Sequence, residues 1–342
     1  MMIPMGLFSS TLSCKDMAHF SNELWVMYNS GVPMNRIMRV LGEKSGSQRL
    51  HRLCTRMHHH LDAGATFAQA IEFEGKHFTI FARTLILVGE RCGQLEPVFD
   101  ILKQYYEEFH KLQQALLKQV IYPCCIIVAA GLIIPIFKFV MIGGGDAMSE
   151  NEFYLHILGM VFSFFFGIIM NLFLLAGLYR LVTQVSSIES VLMRFWPFHK
   201  IVRNVLLARF GWSLAFTTHI GLSLEQGLIV AAQSTGSYQL RKDMERCVKA
   251  LKQQATLSEA ISQSALLPPD IQAHIQVGEE SGKLDEVFEY IGKQCFALAF
   301  HKMKILVSCI ELIFILSLGF GIASGQLDNL ISVVLSLGGL LN

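Results

Sequence analysis

A stretch of twelve residues that occurs twice constrains the fold of this chain more than any other feature. The first copy runs Val88-Gly89-Glu90-Arg91-Cys92-Gly93-Gln94-Leu95-Glu96-Pro97-Val98-Phe99, and the second Val277-Gly278-Glu279-Glu280-Ser281-Gly282-Lys283-Leu284-Asp285-Glu286-Val287-Phe288. Val, Gly, Glu, Gly, Leu, Val and Phe recur at seven matching places, and Glu96 is answered by Asp285. Further matches lie at an offset of 190: Phe20 with Phe210, Leu24 with Leu214, Gly31 with Gly221, and Thr66 to Ile71 with Thr256 to Ile261. The twelve-residue copies are offset by 189, so one residue was gained or lost between these matches. Duplication of a whole domain explains the set, and a repeat fixes the architecture before any local reading does.

Each copy reads as a helix–glycine–helix corner. Phe81, Leu85 and Val88 stand at helical spacing and lead into Gly89 and Glu90. Gly93 supplies the turn, because glycine tolerates the left-handed conformation that ends many helices. A new helix starts near Leu95, with Glu96 and Pro97 in its first turn, where acid and proline are both favoured. Leu95, Val98, Phe99, Leu102, Tyr106, Phe109, Leu112 and Leu116 continue it as one apolar stripe. The second copy repeats the design around Gly278, Glu279, Gly282 and Leu284. Glu90 and Glu279 either cap or solvate this corner, or face a partner.

Composition sets the environment. Apolar residues make up 52% of the 342-residue chain and charged residues 16%, against roughly 25% charged in soluble domains. A net charge of +1 gives no field for nucleic acid. The eight cysteines include no CxxC pair, which argues against a zinc ribbon or a redox motif. No run alternates with period two, so the expected fold class is all-α, with two repeated cytoplasmic helical-bundle domains and three transmembrane helices.

The expected order is a short lead (1–16), a first helical domain (17–118), a first span (119–141), an outer loop (142–154) and a second span (155–179). A second helical domain (180–303), a third span (304–324) and an apolar outer or interfacial tail (325–342) follow. The lead lacks the basic region of a cleaved signal peptide. Ser47 is placed to cap a helix ending before Gly64, and Ser223 with Gln226 forms a capping pattern. So do Thr66 with Gln69 and Thr256 with Glu259. Pro123 and Pro135 inside the first span are tolerable in a membrane helix. Lys111, Lys118, Arg180, Arg194, Lys200, Arg203, Lys302 and Lys304 flank the spans on the domain side, while 142–154 holds acids and no base. The positive-inside rule then places both domains in the cytoplasm and the C-terminus outside, and the cytoplasmic thiols stay free. From Glu96 to Val140, about 45 residues of continuous helix would reach about 65 Å and tie domain orientation to the membrane.

The chain contains no GxxxxGK[ST], HExxH or GxSxG, so the main nucleotide, zinc-protease and hydrolase signatures are missing, and neither catalytic residue nor cofactor is expected. His51, Cys54 and His58, with His59 and His60, form the one metal-like cluster. A solvated histidine run is the plainer reading, since the second copy lacks these residues. Glu311 lies inside the third span, where a carboxylate is costly and usually functional; Ser308 and Asn171 are the other intramembrane polar candidates. Arg36, Arg39, Arg49, Arg52 and Arg56 form a basic set on the early helices, either a solvated face or a docking face.

The doubled VGExxGxLxxVF corner, the two helical domains and the three spans resemble the F-type inner-membrane platform proteins of type II secretion and type IV pilus systems. The resemblance covers residues 17–323. It implies a non-catalytic, homo-oligomeric platform in the bacterial inner membrane. It also implies coupling of a cytoplasmic hexameric assembly ATPase to pilin or pseudopilin subunits, alongside other inner-membrane assembly proteins. The chain departs from many members in its short stretch before the first domain, so no contact is carried over from there. A transporter subunit built on a domain duplication is the alternative, although an odd number of spans leaves little to line a pathway. An intramembrane enzyme rests on Glu311 alone.

Overall fold

The computed structural model describes residues 14–115, 196–262 and 266–306, together with Leu12, Lys118, Ser264, Ser308, Cys309 and Leu312. The described residues are helical throughout and include no strand. The chain divides into two compact units, residues 1–113 with 181–302, and residues 114–180 with 303–342. The second unit lies almost wholly outside the described residues. So do the three expected spans, the outer loop, the tail, Asn171 and Glu311. Among the described residues, no helix is long and apolar enough to cross a membrane.

In the first unit, α1 (Cys14–Asn29), α2 (Met34–Lys44), α3 (Gln48–Asp62), α4 (Phe67–Phe73), α5 (Ile80–Arg91) and α6 (residues 95–115) follow one another. After residue 195 come α7 (Trp196–His219), α8 (Leu224–Thr235), α9 (Tyr238–Lys252), α10 (Leu257–Ser262), α11 (Pro269–Ser281) and α12 (residues 284–306). The two series run in the same order, and matched positions carry matched burial. Phe20 and Phe210, Leu24 and Leu214, Leu50 and Leu240, Ile71 and Ile261, Phe99 and Phe288 all lie in the core. Cys54 and Met57, one turn apart on α3, become Met244 and Cys247 on α9, so the same volume is filled in reversed order. The change of offset falls after α4, which has seven residues where α10 has six.

Capping follows the sequence with one exchange. Thr66 and Gln69 close a reciprocal box, as do Thr256 and Glu259. Ser223 Oγ accepts from the Gln226 N–H, which is the forward limb of a box. Ser47 stands at the start of α3 but makes no cap; its hydroxyl donates to Asp16 Oδ2 at 3.0 Å. A tertiary carboxylate has won that hydroxyl from the local amide, whereas Ser237, at the matching place, does cap α9.

The two series share one core. Tyr105 on α6 packs its ring against Phe81 at 4.8 Å, Phe109 at 4.7 Å and, from the other series, Trp212 at 5.6 Å. Phe296 closes the group against Phe109 at 5.0 Å and Trp212 at 5.5 Å. Edge-on and tilted rings of this kind add about 0.5–1.5 kcal/mol per pair beyond their buried area. Arg209, only 3% exposed, donates through Nε to the Tyr105 hydroxyl at 2.9 Å. Burial pushes the Cys54 and Cys295 thiols up to about 12 and Cys247 to about 11, so these thiols serve as packing and not as nucleophiles.

One asymmetry between the series has a measurable consequence. Gly64 ends α3 at φ +88°, and Gln254, the matching residue after α9, holds φ +69° without being glycine. A side chain in that region costs about 1–2 kcal/mol, of which the entropy of a glycine returns about 0.5–1 kcal/mol to the unfolded chain. We expect Gln254→Gly to stabilise the protein by about 0.5–1 kcal/mol, read as a higher thermal midpoint, since the residue is exposed and makes no core contact. A lower midpoint would refute this account of the turn.

Candidate functional site: the paired glutamate corners

A short helix begins with four backbone N–H groups that its own turns cannot satisfy. In α4, the side chain of Gln69 accepts from the N–H of Thr66 at 2.9 Å, and Thr66 Oγ1 accepts from the N–H of Gln69 at 3.3 Å. The two amides left between them belong to Phe67 and Ala68. Glu90, in the last turn of α5, takes both: its Oε1 accepts from Phe67 at 2.8 Å and its Oε2 from Ala68 at 2.8 Å. All four donors are thereby used, two by a local box and two by a carboxylate 22 and 23 residues away.

The second copy repeats the arrangement. Thr256 and Glu259 form the box, and Glu279 accepts from Leu257 at 2.6 Å and from Ser258 at 2.9 Å. The Ser258 hydroxyl adds a further bond to Glu279 Oε2. Burial works to raise the Glu279 carboxyl, but the bonds from the Ser258 hydroxyl and from the Ser258 and Leu257 amides together outweigh it. They hold the group below the usual glutamate range. The repeated glutamates therefore cap a helix, though not the corner they belong to.

The glycines explain the remaining letters of the motif. Gly93 and Gly282 sit at φ +69° and +70°. Gln94 N–H reaches Gly89 O at 2.7 Å and Gly93 N–H reaches Glu90 O at 3.1 Å, the pair of bonds of a Schellman turn. Lys283 to Gly278 O at 3.0 Å and Gly282 to Glu279 O at 3.4 Å form its twin. Gly89 is needed for another reason: a methyl there would lie 2.5 Å from Val98 Cγ2, and one on Gly278 would lie 2.9 Å from Val287 Cγ2. The helix after the turn thus folds back on the helix before it. Leu95 and Leu284 start those following helices, Leu95 buried and Leu284 half-buried.

The basic set on α2 and α3 is split. Arg36, Arg39, Arg49 and Arg52 are exposed and form no ion pair among the described residues. Arg56 is bound: its Nε and Nη2 grip Glu74 at 2.6 and 2.8 Å. That fork, ahead of the opposing effect of burial, holds Glu74 below the usual carboxylate range. The histidines are drawn to separate partners. His51 Nδ1 contacts Gly42 O at 2.7 Å, His58 bridges Asn35 and Asp62, and His60 lies 4.0 Å from Glu74. Among the described residues, no group of three or more His, Cys, Asp or Glu is placed to hold a metal ion. Ser308 is exposed near the end of the described chain.

Comparison with known proteins gives this arrangement a family. The family described as "Type II secretion system (T2SS), protein F" matches residues 20–143 and 213–326, and each stretch carries one glutamate corner. The type II secretion system protein F of Vibrio cholerae is 23% identical over 291 residues, 81% of this chain and 72% of that one. The type IV pilus assembly protein TapC of Aeromonas hydrophila is 22% identical over 303 residues, 84% and 73% of the two chains. The protein transport protein HofC homolog of Haemophilus influenzae is 24% identical over 333 residues, 89% and 80%.

Removing either carboxylate leaves two helix-start amides unpaired. We expect Glu90→Ala and Glu279→Ala each to destabilise the protein by about 2–3 kcal/mol, and the Gln variants, which keep one acceptor oxygen, by about 1 kcal/mol. Thermal unfolding that leaves all four at the wild-type midpoint would remove this role.

Glu74 and Glu279, the glutamates held below their usual range, also fix an acid limb. The unfolded chain binds their protons near the ordinary 4.5, and the folded protein only at lower pH. Their contribution is complete above about pH 4.5 and fades as pH falls through the folded values. A stability-against-pH curve of Glu279→Gln should be flatter in that range than that of the wild type; parallel curves would contradict the assignment.

Proposed function

We propose, because this chain belongs to the family of type II secretion system protein F, that it is a platform in the bacterial inner membrane. It couples a cytoplasmic assembly ATPase to the polymerisation of pilin or pseudopilin subunits. The observation that carries the reading is the match of that family over both glutamate corners, with relatives named for secretion and for pilus assembly alike. A protein shared by both kinds of machine serves the step they have in common, which is moving subunits into or out of a filament at the membrane.

The local physics supports a mechanical part without catalysis. Both repeated glutamates are engaged by backbone amides, so their carboxylates act as helix caps. What the corner supplies is direction. It fixes the angle at which α6 and α12 leave the helical body toward the segments 119–141 and 304–324, which this reading assigns to the membrane. The second expected span, 155–179, and the cytoplasmic side of both helical series complete the proposed topology. Force applied to α1–α5 by a motor would then move the membrane helices as levers.

Within this reading, the exposed Arg36, Arg39, Arg49 and Arg52 present the face that meets the ATPase, since Arg56 is occupied by Glu74. Glu311, Asn171 and Ser308 are the polar groups offered to the apolar helix of a pilin-like subunit. One experiment tests both ends. In cells carrying only the variant chain, Arg49→Glu with Arg52→Glu should reduce retention of the ATPase in pull-downs. The deficit should depend on salt, because exposed charges are screened beyond about 10 Å at 0.1 M. Glu311→Leu should retain the ATPase and assemble fewer filaments. Normal retention by the arginine variant together with normal filaments in the glutamate variant would overturn the proposed coupling.

A further inference from the structure

The end of the helical body that precedes residue 304 carries an uncompensated group of cations. Lys200 and Arg203 lie in the first turns of α7, and Lys302 lies near the end of α12. The two helices cross closely at Gly211 and Gly292: a methyl on Gly211 would stand 2.7 Å from the Gly292 nitrogen, and one on Gly292 would stand 2.8 Å from Trp212 Cδ1. From that crossing, Arg203 lies eight residues back along α7 and Lys302 ten residues on along α12, about 12 and 15 Å of helix. Antiparallel passage brings these residues to the same end.

No carboxylate pairs with the three cations directly among the described residues. Arg203 Nε is buried and donates to no acceptor, and the neighbouring Asn204, 4% exposed, holds a buried Nδ2 that also donates to none. Burial first, then the charges of Arg203 and Lys200, push the Lys302 ammonium below the usual lysine range. Among the described residues, the carboxylate whose charge reaches Lys302 is that of Asp270, which is exposed. Converging like charges beside orphaned buried donors are the polar half of an anion site.

We propose that Lys200, Arg203 and Lys302 bind a phosphate group, presented by the head group of an anionic phospholipid. Arg203 offers its planar donors to the phosphate oxygens, and the two ammonium groups supply charge without fixed geometry. The lipid as source rests on the membrane reading of residues 304–324, because Lys302 then stands at head-group level, where basic residues and anionic lipids attract. Binding there would hold α7 and α12 at a defined depth against the bilayer.

The test uses the full chain, purified in detergent and placed in phosphatidylcholine bilayers with or without phosphatidylglycerol, with the retained phosphatidylglycerol measured by mass spectrometry. Lys200→Gln with Lys302→Gln should bind it about fivefold more weakly for each charge removed, and Arg203→Gln alone should show the same direction. Lys242→Gln with Lys249→Gln, exposed charges on α9, should match the wild type. A second arm adds inorganic phosphate to the detergent-solubilised protein. A thermal shift in the wild type that the double variant lacks supports the site itself. If that shift occurs without lipid retention, the anion is free phosphate and the lipid source falls. Wild-type lipid retention by the variants with no phosphate-dependent shift overturns the proposal. A periplasmic activity reporter fused after Gln233 separates the two readings: activity there would reverse the topology while leaving a phosphate-binding result intact.

Discussion

The structure depends on a carboxylate placed where its own helix does not favour it. Glu90 and Glu279 stand in the last turns of α5 and α11, at the negative end of the helix dipole. They are stable there because each meets the positive, unsatisfied start of another helix, α4 or α10. Two helix ends of opposite sign are joined through one side chain, and the Schellman turn that follows sets where the next helix points. The close contacts of Gly89 with Val98 and of Gly278 with Val287 complete a joint in which few degrees of freedom remain.

Around these two joints the halves are alike in order and unlike in detail. The shared centre belongs to neither alone: Tyr105, Phe81 and Phe109 come from one series, Trp212, Phe296 and Arg209 from the other. The backbone approach of α7 to α12 uses Gly211 and Gly292, where the matching residues of the first series are Ser21 and Lys103. A repeated design has thus been fitted to an interior that treats its copies differently.

What was legible in the sequence was local. The corners, the two capping boxes and the apolar stripe of α6 follow from spacing and turn chemistry that act within a few residues. The partner of each glutamate was not legible, because it lies 21 to 23 residues away. The available sign was an acid in a final helical turn, a local misfit repeated in both copies. Ser47 reads as a cap because nothing in its neighbourhood reveals Asp16, and Arg56 reads as one of a basic set because Glu74 lies 18 residues on. The common aromatic centre was hidden for a similar reason: helical spacing puts Tyr106 and Phe109 on one stripe, leaves Tyr105 and Trp212 off it, and says nothing of which helix each will meet. Gln254 concealed part of the repeat by taking a glycine's conformation without being glycine.

Helices of seven and six residues, such as α4 and α10, are far below the roughly 12–15 residues at which an isolated helix becomes marginal in water. Each is held by core packing, through Phe67 and Ile71 or Leu257 and Ile261, and by its cap, and half of that cap is a residue of α5 or α11. The amides of Phe67 and Ala68 are tied to Glu90, and loosening of the last turn of α5 would carry that carboxylate away from them. Fraying at one end thus weakens the other, which links each short helix to its corner in local opening.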